Sequence, residues 1–199
     1  MNTQPIVIKG NGMPTVDYAT WDTKTLVEHI VGTHHVNIRK TMPELLGVGV
    51  VVSALEAERH PETREIYERL LQLDSCMRQH ITSVEYALFP YILEMENVYF
   101  SKLPFVAPAF GRVEKPIRVI ENEHNRCADL LKDIRMLSAE FVAPLDASAE
   151  HLQWYALLRA FDADMRLHYH LECNILFPRA IAQETALLER KGFTSIWFG

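Results

Sequence analysis

Apolar residues recur along this chain at three- and four-residue steps over four long stretches, the spacing of one face of an α-helix. The first begins at Asp22 or Thr23 as N-cap, takes in Leu26, Ile30, Thr33, Val36 or Asn37 and then the apolar stretch with Leu45 and Leu46, and ends near His60-Pro61. Pro43 falls inside it, so a kink or a fresh helix start is expected there. The second starts on Pro61, with Glu62 and Glu65 in its first turn. It repeats at Ile66, Leu70, Leu73, Met77, Ile81, Val84 and Leu88 and runs to about Glu96, with Pro90 bending its last turns. The third spans about Glu114 to Glu140, with Val119, Ile120, Leu130, Leu131, Ile134 and Leu137 on its apolar side. The fourth starts near Ser148 and carries Leu152, Tyr155, Leu158, Phe161, Met165, Leu167, Leu171 and Leu176 past Pro178. Pro5, Gly10, Gly12 and Pro14 make residues 1–20 an extended arm whose only strand candidate is Ile6-Val7-Ile8. Residues 97–112 read as a connection, and Arg190 to Gly199 as an irregular tail folded back on the helices. The expected fold is all-α: an antiparallel up-down four-helix bundle over residues 21–185, with an arm (1–20) and a tail (186–199).

The pattern also repeats. Arg78 to Pro90 and Arg166 to Pro178 share a histidine, at His80 and His168, and the endings Leu88-Phe89-Pro90 and Leu176-Phe177-Pro178, all 88 residues apart. His35 and His124 stand 89 apart, and the gap to the second histidine is 45 residues in one half and 44 in the other. The bundle is therefore expected to consist of two repeated helical hairpins, which together bring four histidines to one level of the core. Buried polar groups without partners cost about 1–3 kcal/mol each, and a divalent metal supplies the missing partner. His168 and Glu172, four residues apart, share one helix face. Imidazole with carboxylate suits iron, manganese or zinc. Val84 stands where the second copy has Glu172. The neighbouring Glu85 points about 100° away on a regular helix and reaches the centre only through a π-type distortion. Glu121 and Asp164 have the spacing to hold the outer ring nitrogens of His124 and His168, and read equally well as solvated surface charges. His29, His60 and His151 read as ordinary surface or core residues; His34 and His170 face away from the four.

Composition narrows the function. A chain of 199 residues suits one domain with a full core. A net charge of −6 argues against a nucleic-acid partner. The longest apolar run, Leu45 to Leu55, is too short to span a membrane, and no signal peptide is evident, so a cytoplasmic protein is expected. Cys76, Cys127 and Cys173 form no CxxC pair; no disulfide framework is expected, and each reads as a small buried side chain.

Four pieces together carry a resemblance: Glu28-His29-Ile30 through His35 to Pro43-Glu44-Leu45; His80 to Pro90; Pro116 to His124; and His168 to Arg179, the last being the most specific. The chain resembles hemerythrin-like bundles, and among them the di-iron proteins that repair iron–sulfur centres (the RIC, or YtfE/ScdA-type, family). The resemblance implies two irons, or one, held by His35, His80, His124, His168 and Glu172, with Glu85 as the remaining carboxylate candidate and Glu123 lining access. It implies iron–sulfur cluster repair or iron supply under nitrosative or oxidative stress, with iron–sulfur proteins as clients. The alternative within the same resemblance is a protein that binds or senses dioxygen or nitric oxide. Arg39, where an oxygen carrier would want a further histidine, lowers that reading. Only one Glu-x-x-His, Glu121 to His124, is present, which ranks a ferritin-type store low. The family's N-terminal domain with an adjacent Cys-Cys pair has no counterpart in residues 1–20.

Overall fold

Asp22 sets the start of the bundle: its carboxylate accepts the Thr25 backbone N–H at 2.6 Å, closing the first turn of the first helix. In the computed structural model, which describes residues 6–8 and 14–197, four long helices follow. Helix α1 covers residues 23–56 as Thr23–His29, a π-helical turn Ile30–His35, and Val36–Glu56. Helix α2 covers residues 62–101 as Glu62–Ser83, a π-helical turn Val84–Leu88, and Phe89–Ser101. Helix α3 is Glu114–Leu137. Helix α4 covers residues 149–197 as Ala149–Leu171, a π-helical turn Glu172–Leu176, and Phe177–Trp197. Ahead of them, β1 (Ile6–Ile8) pairs antiparallel with β2 (Pro14–Val16), so the one strand candidate in the arm is a strand.

Four boundaries differ from expectation. Helix α2 runs on to Ser101, five residues into the stretch expected to be a connection. Pro43 lies inside α1 without ending it. Helix α3 stops at Leu137 because Ala139, Glu140 and Phe141 take φ of +48°, +59° and +63°, a left-handed exit no helix can continue through. The segment expected to be an irregular tail is helical to Trp197; Gly192 does not break it, and residues 198–199 lie outside the described part.

The Leu-Phe-Pro repeats explain two of the π turns. A proline ring clashes with the carbonyl four residues back and offers no N–H. Pro90 and Pro178 face that conflict at Tyr86 and Asn174. The chain answers with one wider turn: Phe89 N–H bonds Val84 O and Phe177 N–H bonds Glu172 O, each five residues back. The two wide turns thus open on residues 84 and 172, the matched positions of the repeat.

The core has two apolar layers. One gathers Met42, Leu45, Leu70, Leu73, Trp154 and Phe161 around the ends joined by the α1–α2 turn. The other gathers Leu26, Ile30, Val84, Phe89, Ile117 and Phe177 at the opposite end. The four histidines lie between the layers. In the first layer α1 and α4 approach so closely that a Cβ at Gly49 would sit 2.7 Å from the Trp154 ring, whose Nε1–H donates to Leu45 O at 3.0 Å. A rigid indole cannot yield, so Gly49→Ala is expected to cost about 1–3 kcal/mol in chemical denaturation despite its better helix propensity.

The cysteine expectation is corrected. Cys76 on α2 and Cys127 on α3 are joined as a disulfide, with Cα atoms 6.4 Å apart. Residues four before His80 and three after His124 fall at the same level on antiparallel helices, which a reading of spacing within each helix does not reveal. Cys173 is a free, half-buried thiol.

Candidate metal centre

The structure brings all four matched histidines together around one carboxylate. His35, His80, His168 and Glu172 are fully buried, and His124 is 4% exposed. One ligand atom from each of His35, His80, His168 and Glu172 lies within 4.8 Å of the others. The two oxygens of Glu172 divide the histidines. Oε1 lies 3.0 Å from His168 Nε2 and 3.6 Å from His35 Nε2. Oε2 lies 3.0 Å from His124 Nε2 and 3.7 Å from His80 Nε2. Each pair joins helices from different hairpins: α1 with α4, and α2 with α3. The π turn beginning at Glu172 places that carboxylate in the bundle axis.

Outer nitrogens fix the rings. His35 Nδ1–H donates to Glu85 Oε1 at 2.7 Å, leaving Nε2 to face inward. Glu85 Oε2 accepts Arg39 at 2.7 Å. The π turn at Val84–Leu88 does carry Glu85 to the centre, but onto the outside of His35 rather than among the inward nitrogens. Val84 itself is fully buried in the second apolar layer. Burial would raise the Glu85 carboxyl; the hydrogen bonds from Arg39 and His35 outweigh it and hold it below the ordinary value. His124 Nδ1–H donates to Cys173 Sγ at 3.1 Å, whereas Glu121 is solvent-exposed. Burial, with Glu172 and Glu121 nearby, pushes the Cys173 thiol up to about 12, so the sulfur keeps its proton at neutral pH. Asp164 accepts His34 Nδ1–H at 2.7 Å and Asn37 at 2.9 Å instead of holding His168. His34 is buried with its ring stacked 5.9 Å from His168. Glu123 takes the Gln79 amide at 2.9 Å and stands 4.0 Å from His80 Nδ1. His170 is exposed and bonds Asn174, and His151 pairs with Glu56 at the far end of the bundle. Spacing along single helices missed Glu85 and Cys173 in these positioning roles, because both act on histidines of other helices.

The donor set fits a bound cation. His80 Nδ1 and Nε2 and His168 Nδ1 are buried without hydrogen-bond partners, and His124 Nε2 and Glu172 Oε2 have only each other, at 3.0 Å. The apolar layers above and below offer them none, and a cation between the two histidine pairs supplies what the inward atoms lack.

The pH response follows from the same burial. Burial lowers His168 to about 4, with His80 and His35 adding to the effect and Glu172 opposing it. For Glu172, burial acts upward, but His168 and His80 beside it prevail and hold it well below its usual value. The unfolded chain therefore takes up a proton on His168 near pH 6.5, and the fold resists it until about 4. That stability is present above pH 6.5 and is lost as pH falls toward 4, by about 3 kcal/mol. Glu172 contributes in the same sense below 4.5. Denaturant titrations of metal-free protein at pH 7 and 4.5 check the slope. A His168→Leu variant should show a flatter profile.

Fold and site together define a class: an all-helical bundle with a buried cluster of four histidines and a carboxylate suited to a metal ion. The sequence agrees with that class. Residues 26–180 match the hemerythrin HHE cation binding domain, and the chain belongs to that family. Curated relatives include a probable iron-sulfur cluster repair protein of Haemophilus influenzae, 27% identical over 168 residues, covering 84% of this chain and 70% of that protein. The iron-sulfur cluster repair protein YtfE of Enterobacter sp. is 29% identical over the same shares, and that of Citrobacter koseri 27%. Among the described residues no helix is long and apolar enough to cross a membrane.

Proposed function

We propose that this chain is a non-haem iron protein that holds two iron ions and serves the repair of iron–sulfur clusters, or iron supply to them, under nitrosative or oxidative stress. One observation carries the two-ion reading: each Glu172 oxygen faces its own pair of inward histidine nitrogens, Oε1 toward His35 and His168 and Oε2 toward His80 and His124. The repair role is taken from the relatives' names, and iron–sulfur proteins are its clients in this reading. Iron bound there supplies redox-active and exchangeable metal. The chain's own residues hold and tune it. Glu172 bridges the two pairs, Glu85 fixes the His35 ring and raises its basicity, Cys173 orients His124, and Glu123 stands behind His80.

With Val84 in place of a second bridging carboxylate, the centre carries one negative charge less, which weakens its hold on cations. That favours a donor of iron over a store. A reversible oxygen carrier is disfavoured, since Arg39 is committed to Glu85 instead of being a further ligand. The test is metal analysis with Mössbauer spectroscopy after anaerobic ferrous loading. Two irons per chain are expected, and less than one overturns the reading. Glu85→Gln keeps an acceptor for His35 but loses the charge. About 10–100-fold weaker iron binding is expected in a chelator competition, with little change in metal-free stability.

A further inference from the structure

Cys76 stands four residues before His80 on α2, and Cys127 three after His124 on α3. These offsets correspond to about 6 and 4.5 Å of helix rise in the same direction along antiparallel helices. The disulfide therefore lies one turn from the half of the centre formed by His80, His124 and Glu172 Oε2. It is sealed from outside: Cys76 is 6% and Cys127 0% exposed, within the apolar layer that includes Met77 and Met165. Exchange with an external thiol requires access to a sulfur atom, and this burial withholds it. The redox partner that the fold does place within reach is the metal centre.

We propose that Cys76 and Cys127 form an internal two-electron couple for the metal centre, the thiols reducing two ferric ions to ferrous ions as they close to the disulfide. Two S–H bonds break, one S–S bond forms, two protons are released, and each iron accepts one electron. The inference rests on the two-iron reading above. Its consequence is release, because a carboxylate holds an ion of lower charge less strongly.

The experiment adds two equivalents of ferric citrate under argon to metal-free protein that was reduced in denaturant and refolded without oxygen. Thiols are counted by alkylation and intact mass after a denaturing quench. Ferrous ion is counted with a ferrous-specific chelator. Two of the three thiols should vanish, peptide mapping should join Cys76 to Cys127, and two ferrous ions should appear per chain. Protein preloaded with zinc, which is redox-inert, should keep all three thiols. Cys76→Ser should take up iron yet yield about ten-fold less ferrous ion, since one thiol cannot complete a two-electron couple. Iron bound as ferric with all thiols intact overturns the couple alone, as does an unchanged ferrous yield in Cys76→Ser. A protein that takes up no iron overturns the couple and the two-iron reading together. Should Cys76→Ser fail to fold, the thiol count of the unaltered chain decides.

Discussion

Glu172→Gln is expected to empty the centre of iron while leaving the bundle folded. The substitution keeps the shape and an acceptor but removes the charge both histidine pairs share. Loss of a residue that merely holds a ligand costs about 10–100-fold in metal affinity, so loss of the shared carboxylate should exceed about 100-fold. The stability conferred by saturating iron, about 4 kcal/mol at a thousand-fold excess over the dissociation constant, should vanish with it. Glu184 provides the contrast. It is equally buried, yet satisfied: it accepts Arg112 Nε at 2.8 Å, Tyr91 OH at 3.0 Å and Val113 N–H at 2.9 Å. Glu184→Gln should lower unfolding free energy by about 1–3 kcal/mol, because the hydrogen bonds from Arg112, Tyr91 and Val113 lose their charged acceptor, while iron content stays unchanged. Inductively coupled plasma analysis and denaturant unfolding of both variants separate the roles. Iron retained by Glu172→Gln at the unaltered stoichiometry would remove Glu172 from the centre.

The contrast bears on what the sequence could convey. Helical periodicity and the 88-residue repeat were enough to place four histidines at one level, because each signal lies within one helix or between two copies of one motif. The same periodicity carried no information on which histidines pair. The pairs His35/His168 and His80/His124 join different hairpins and depend on how the hairpins pack. Asp164 shows the cost of reasoning along one helix: its spacing to His168 is right, but His34 and Asn37 on α1 claim both oxygens. Cys76 and Cys127 were read singly for the same reason. Glu85 was legible only as a condition, a wide turn near residue 84. The proline that causes the turn was visible, though it reads equally well as a simple bend. The helical C-terminal segment was hidden because Gly192 weakens a helix without being able to stop one.

Val84→Glu supplies the sharpest test of the repeat, because its effect should reverse sign when iron is added. Position 84 opens a π turn as Glu172 does, and its side chain is fully buried among Leu88, Phe89 and Leu176. A carboxylate there has no partner in metal-free protein, so a loss of about 3 kcal/mol or more is expected, with the new group protonated at neutral pH. Iron supplies the partner. The loaded variant should regain the lost stability, carry two irons, and release them to a ferrous chelator at least about ten-fold more slowly than the unaltered chain, since a second carboxylate adds attraction in a dry site. Val84→Gln, equal in size and uncharged, should be destabilised without any gain in retention. Stopped-flow release kinetics on the three proteins distinguish the cases. Equal release rates in Val84→Glu and the unaltered chain would mean that position 84 faces the apolar layer alone, and that the duplication ends at the histidines.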